Sequence, residues 1–283
     1  MATDYTLAEL MVTAAAREIA DREVVFVGMR LPLLGFLLAK SSHAPEAVGV
    51  YELGVVRDTV APEPILTMSD LPNLCRAQWL ADTADLMGLL QQGLVDVSFI
   101  GGAQVDRYGN LNTSYIGSLN RIETRLPGSG GACDLASLAK RHIIIMAHEK
   151  RRFMPKVDYI TSPGYGEGSD WRDRAGLPRG GPSAVITTLG LLRFEPETRE
   201  MVLTSVHPGV SVEQVLANTG WPRMWPRRPS PPRPNFLSCA ASTRRASGPA
   251  TGPKAKLLLP YSKEIFSPAR RGSSVAQYRQ IPA

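Results

Sequence analysis

Glu52 closes an apolar run in the stretch GVYELG and stands two residues before Gly54, at a place where a buried strand would be emerging from a sheet. A carboxylate so placed is suited to attack a carbonyl, provided that donors wait for the oxyanion the attack creates. Two glycine-bearing stretches offer such donors. One is IGGAQVDRYGNLNTS, with Gly101 and Gly102 directly after an apolar run and Gln104 close behind. The other is PGSGGACD, where Gly128, Gly130 and Gly131 fall within four positions and leave backbone N–H groups open to a ligand. Taken singly these are weak signals, since a strand-end Glu is commonly a solvated or capping residue and a short glycine loop a tight turn. Their conjunction on one rim is the stronger argument.

The elements that must position them alternate. Thr6 and Glu9 have the spacing of a capping box, and Leu7, Leu10, Met11, Ala14, Ala15 and Ile19 follow at helical spacing to about Ala20. VVFVG (24–28) reads as a buried strand, 32–40 as a helix with Pro in its first turn, and AVGVYE as the next strand. RAQWLADTADLMGLLQQG reads as one helix stopped at Gly93, followed by the strand VDVSFIGG. RHIIIMA and SAVITTLG are two more strands, LLRF and EMVLTSV an antiparallel pair, and Ser211 with Gln214 caps a last helix ending near Gly220. This pattern predicts an α/β fold: an open, mostly parallel sheet with helices on both faces and a ligand crevice outside the carboxyl ends of the strands.

Charge divides the chain in two. Its 283 residues carry a formal +6, yet residues 223–283 hold 12 of the 32 Lys and Arg and one of the 26 acids, which leaves 1–222 at −5. The basic balance therefore belongs to a Pro, Arg and Ser-rich tail of disordered composition, and the first 222 residues read as the catalytic domain. Cys75, Cys133 and Cys239 form no C-x-x-C pair, which suggests neither a disulfide framework nor a metal site and fits a reducing, cytoplasmic setting. No basic leader precedes an apolar stretch and no run reaches the length of a membrane span, so no membrane association is expected.

Several other side chains are read as support. Gln104, Asp106, Asn110 and Asn112 surround a DRYGN turn and serve to build it, with Gln104 the leading exception as a ligand contact. His148, Glu149, Lys150, Arg151 and Arg152 read as a solvated charge run or a subunit contact. Cys133 adjoins the glycine loop without an identifiable activating base and reads as packing.

IGGAQVDRYGNLN, GSGGA, IIIMAHEKRRFMPKVDYITSPG and LANTG stand here in an order that resembles the β subunit of class I coenzyme A transferases, that of glutaconate CoA-transferase most closely, from about Thr6 to Trp221. The resemblance implies that Glu52, in the E-x-G position of Glu52-Leu53-Gly54, is the nucleophile. It implies that Gly128, Ser129, Gly130, Gly131 and Ala132 form the oxyanion hole, and that Gly101, Gly102 and Gln104 lie at the substrate or coenzyme A. It further implies a partner α subunit of related fold in an obligate heteromer, with acyl-CoA and a carboxylic acid as substrates, coenzyme A as substrate rather than permanently bound cofactor, and no metal. Two alternatives are a subunit of a CoA-thioester or ring-cleaving hydrolase on the same scaffold, against which the retained Glu52 counts, and a noncatalytic subunit.

The tail departs from that family, whose members end in a helix with a sequence such as ELRxLDPEG. SCAASTRRA (238–246) can be encoded so that the frame one nucleotide earlier reads ELRRLDPEG. A frameshift near Pro222 or Arg223 is therefore preferred to a nucleic-acid-binding extension.

Overall fold

The computed structural model describes residues 5–65, 67–177 and 179–221. Its first element, helix α1 (Leu7–Arg17), starts on the expected capping box: the Glu9 N–H donates to Thr6 Oγ1 at 3.2 Å and the Thr6 N–H to Glu9 Oε2 at 2.7 Å. Strand β1 (Val24–Phe26) leads into α2 (Leu31–Ser42), which crosses α1 where a Cβ on Gly35 would come within 2.8 Å of the Ala15 Cβ. The chain continues through β2 (Val48–Tyr51), β3 (Val55–Arg57), α3 (Leu71–Leu74), β4 (Trp79–Leu80), α4 (Thr83–Gln91) and β5 (Val97–Ile100). Two small ribbons follow, β6 (Gln104–Val105) with β7 (Leu111–Asn112) and β8 (Tyr115–Ser118) with β9 (Arg121–Arg125). Then come α5 (Ala132–Leu138), β10 (Arg141–Met146), α6 (Trp171–Arg174), β11 (Pro182–Thr187), β12 (Gly190–Phe194), β13 (Met201–Val206) and α7 (Val212–Ala217).

The main sheet has nine strands in the order β13-β12-β11-β10-β5-β1-β2-β3-β4. Its five central strands, β11, β10, β5, β1 and β2, run parallel, and two antiparallel strands extend each edge. Side-chain alternation sorts the core into two layers. Val25, Val27, Phe99, Ile143 and Ile145 face the layer of α1 and α2. Phe26, Val50, Ile100, Ile144 and Val185 face the other, with Leu86 and Leu90 of α4 and Leu135 of α5. From β1 the chain proceeds to β2 on one side and later, from β5, to β10 on the other. The reversal between β1 and β5 opens a crevice at their carboxyl ends.

One expected helix is shorter than its pattern suggests. Trp79 and Leu80 belong to the edge strand β4, paired with Val56 and Val55, and α4 begins only at Thr83. The reason is local: Asp82 accepts from the Asp85 N–H at 2.9 Å and Asp85 reaches back to the Asp82 N–H, a capping box that fixes the first turn. The expected tail, 223–283, lies outside the described residues.

Candidate active site

Strand β2 ends at Tyr51, and the chain turns at once, with the Gly54 N–H donating to the Tyr51 carbonyl at 2.9 Å. The turn is locked from outside. Thr83 Oγ1 donates to the Glu52 carbonyl at 3.0 Å, and the Ala81 N–H to the Gly54 carbonyl at 2.8 Å. Gly54 has φ +104°, and a Cβ there would fall 2.1 Å from the Ala81 carbonyl oxygen, so no other residue fits. The result is a carboxylate held on a rigid turn, half-buried at the mouth of the crevice.

Opposite lies the glycine loop. Its entry is pinned by the Gly128 N–H, which donates to the Thr113 carbonyl at 2.8 Å, while the Thr113 N–H donates to Thr161 Oγ1 at 3.0 Å. Its exit is pinned by the Ala132 N–H donating to the Ser129 carbonyl at 3.0 Å. Between these points the Gly131 N–H donates to Glu52 Oε1 at 3.2 Å, across 79 positions of sequence. A Cβ at Gly131 would meet that same carboxylate oxygen at 2.8 Å. The N–H groups of Ser129 and Gly130 have no acceptor among the described residues. Glu52 and the Ser129–Ala132 backbone face a cavity of about 250 Å³, walled by Phe26, Phe99, Met68 and Leu135 and bordered by Gly101.

The other expected site residues lie elsewhere. Gly102 is off the cavity, packed so that a Cβ would meet Leu111 Cδ2 at 2.9 Å. Gln104 is buried with its amide engaged: Nε2 donates to Asp158 Oδ2 at 2.9 Å, and Oε1 accepts from Asn112 Nδ2 at 2.7 Å and from the Asp158 N–H at 3.1 Å. Asp106 and Asn110 complete a buried network in which Asn110 Oδ1 accepts from the Gly164 and Gly166 N–H groups, both at 3.0 Å, and Nδ2 donates to the Gly166 carbonyl at 2.7 Å and to Asp106. Burial pushes the Asp106 carboxyl up to about 6, against the opposing pull of its Asn110 and Tyr108 donors. His148 departs from the expected solvated run. It is buried, stacked on Phe153 at 3.8 Å, with its ring nitrogens 3.2 and 3.0 Å from Thr187 Oγ1 and Thr219 Oγ1, and burial lowers it to about 4.

Gly28 and Met29 after β1, Met68, Phe99 and Thr113 also line the cavity and are not singled out by the sequence. Gly28 carries the same strand-end signal as Glu52; Met68 sits in an irregular segment with none.

A parallel-centred α/β sheet with a carboxylate and unengaged backbone donors beside its strand reversal is an arrangement in which a carbonyl could be attacked and its oxyanion received. The chain belongs to the coenzyme A transferase family, whose pattern it matches over residues 8–218. It is 43% identical over 220 residues to the β subunit of 3-oxoadipate CoA-transferase from Pseudomonas knackmussii, a match covering 77% of this chain and 84% of that one. The β subunit of glutaconate CoA-transferase from Acidaminococcus fermentans is 39% identical over 225 residues, with the same shares. The crystal structure of glutaconate coenzyme A-transferase from Acidaminococcus fermentans superimposes with a TM-score of 0.72 at 38% identity, covering 77% of this chain and 86% of that chain. Among the described residues no helix is long and apolar enough to cross a membrane.

Proposed function

We propose that this chain is the β-type subunit of a heteromeric CoA-transferase that moves coenzyme A between an acyl-CoA and a carboxylic acid, with Glu52 as nucleophile. The observation that carries the reading is the Gly131 N–H at 3.2 Å from Glu52 Oε1, beside two N–H groups that no described residue engages. Glu52 attacks the thioester carbonyl; the C–S bond breaks, leaving an acyl-glutamyl anhydride and CoA thiolate. The thiolate then attacks the Glu52 carbonyl of the anhydride, which expels the acyl carboxylate and leaves a glutamyl-CoA thioester. An incoming carboxylate reverses the two steps. Each tetrahedral intermediate carries an oxyanion that the 129–131 backbone is placed to receive, a contribution of about 3 kcal/mol per donor in comparable sites. The apolar walls hold water from two hydrolysable intermediates.

Two relatives that are themselves single subunits of CoA-transferases support a related α-type partner that completes the site and holds part of the coenzyme A. Gly101 is the glycine of its stretch that borders the acyl cavity, whereas Gln104 serves the loop beneath it. The test is to assemble the enzyme with its partner, incubate with acyl-CoA alone, trap with hydroxylamine, and map the adduct by mass spectrometry. The adduct is expected on Glu52, and Glu52→Gln should abolish turnover while leaving assembly intact. A label on another residue, or undiminished turnover by the variant, would overturn the assignment.

A further inference from the structure

Between β3 and β4 the chain makes a long excursion, 58–78, with α3 as its one regular element among the described residues. A connection of that length needs something to hold it. Arg57, the last residue of β3, holds it from inside. The side chain is fully buried, and its guanidinium donates to five main-chain carbonyls: Thr59 and Val60 where the excursion leaves, at 3.2 and 3.3 Å, and Pro72, Asn73 and Cys75 where it returns, at 3.3, 2.5 and 2.9 Å. None of these acceptors is a carboxylate. A buried charge is costly unless its donors are met, so guanidinium and loop fix one another.

A second bond carries that hold to the cavity at Glu52. Asn73 is buried, and its Nδ2 donates to the Met68 carbonyl at 2.8 Å, while its Oδ1 has no donor among the described residues. An unmet buried acceptor is destabilising, and an apolar side chain of similar size would avoid it, so stability alone does not account for the amide. What the amide supplies is the bond to Met68. Met68 walls the cavity, whereas neither Arg57 nor Asn73 borders it. Asp70 folds the turn between them: it accepts from the Thr67 N–H at 3.0 Å and from Thr67 Oγ1 at 2.8 Å, and its carbonyl accepts from the Asn73 N–H at 2.8 Å.

We infer, resting on the transferase reading above, that Arg57 and Asn73 are positioning residues: they hold Met68 at the acyl cavity, and through it they set the length of acyl group that the site accepts. A methionine side chain is unbranched and adaptable, so where it stands depends on where its main chain is pinned. Released from Asn73, the 67–70 turn can draw back and the cavity lengthens on that side. Glu52 is untouched by the change, because its own turn is held by Thr83 and Ala81. The choice of acid therefore alters, and the chemistry does not.

The assembled enzyme, with its partner subunit, is assayed with acetyl-CoA as donor and with acceptor acids running from succinate to suberate and from butanoate to octanoate. Met68→Ala should shift the kcat/KM ratio of the longest to the shortest reacting acid about tenfold toward the longer, the worth of a methylene in an apolar pocket. Asn73→Ala should shift it the same way by a smaller factor, and so should Arg57→Lys, which keeps the charge but lacks the fork that spans five carbonyls. In the Met68→Ala background Asn73→Ala should add nothing, because the side chain it acts through is already gone. A purely structural role would lower kcat/KM for every acid by one factor and leave the ratio in place. That result, or full additivity in the double variant, would overturn the inference and leave the transferase reading standing. Should Arg57→Lys fail to assemble, Asn73→Ala, which keeps every acceptor of the guanidinium, decides alone. No transfer to any acid by the unsubstituted enzyme would overturn the transferase reading, and this inference with it.

Discussion

Two glycine-bearing loops look alike in sequence, one following β5 of the main sheet and the other leading from the β8–β9 ribbon into α5, yet they differ in how their polar groups are satisfied. The 101–112 loop is saturated internally: Gln104, Asp106, Asn110 and Asn112 bond to one another, to Asp158 and to the 164–166 backbone, and all four side chains are buried. The 128–131 loop is pinned at its ends, and in between the Gly131 N–H donates to Glu52 while those of Ser129 and Gly130, residues that line the cavity, have no acceptor among the described residues. A buried polar group left unpaired is costly, so a saturated loop contributes structure and an unsaturated one at a cavity is ready for a ligand.

The sharpest way to break this contrast is Asn110→Ala. The change strands two N–H groups and a carbonyl and removes the side-chain donor to Asp106, and is expected to lower stability by about 3 to 4 kcal/mol at roughly 1 kcal/mol per lost bond. Urea unfolding of the isolated chain measures it, and kcat per folded molecule in the assembled enzyme should hold. A fall in kcat with an unmoved midpoint would make the 101–112 loop part of the chemistry.

Gly131→Ala tests the other loop. Its Cβ would displace the Glu52 carboxylate, and kcat should fall about 100-fold, close to 2.7 kcal/mol, with little change in coenzyme A binding. Loss of binding at constant kcat would make the loop a ligand clamp.

A smaller effect separates the loops by pH. Asp106, raised to about 6, takes up a proton in the native state that the unfolded chain, near 3.9, does not; its contribution to stability therefore grows as pH falls through that window. His148, lowered to about 4, acts oppositely, because the unfolded chain protonates near 6.5 while the native ring stays neutral, and stability is lost as pH falls from 6.5 toward 4. Asp106→Asn removes the opposing group, so the loss between pH 6.5 and 4.5 should steepen by about 2 kcal/mol, read as a slope in thermal melts whatever the variant's overall stability. An unchanged slope would mean that Asp106 does not titrate in this window.

The least effect is expected at Gly130. Its φ is +48°, but a Cβ there meets nothing within 4 Å, so Gly130→Ala should cost about 1 kcal/mol of backbone strain and leave Glu52 in place. A rate loss as large as that of Gly131→Ala would show that the whole loop, rather than its contact with Glu52, sets the geometry.

What the sequence shows of this molecule depends on how local the cause is. The Thr6 and Ser211 capping boxes and the apolar runs of β10 and β11 are short-range signals, and they place the central sheet. Trp79 and Leu80 fall in phase with the following helix in sequence, while their pairing with β3 is a contact more than twenty residues away. The β6–β7 ribbon is likewise held from afar, through bridges from Val105 to Phe153 and Leu111 to Ser162. At the site, Glu52 and Gly131 are legible as a strand end and a glycine loop. Sequence alone does not separate Gly101 from Gly102, because adjacent glycines read alike until one borders a cavity and the other packs on Leu111. His148 reads wrongly beside its charged neighbours because Thr187 and Thr219, which enclose it, are 39 and 71 positions distant.

The lock at Gly54 reaches beyond the turn it makes. Ala81 lies against it and Thr83 grips the Glu52 carbonyl, so the turn that carries Glu52 and the first turn of α4 form one mechanical unit. A saturation library across 52–54 selected for folded chain would return a single letter at 54 whatever acid the enzyme was asked to use. The walls around Glu52 can then be varied while the backbone turn that carries it keeps its place.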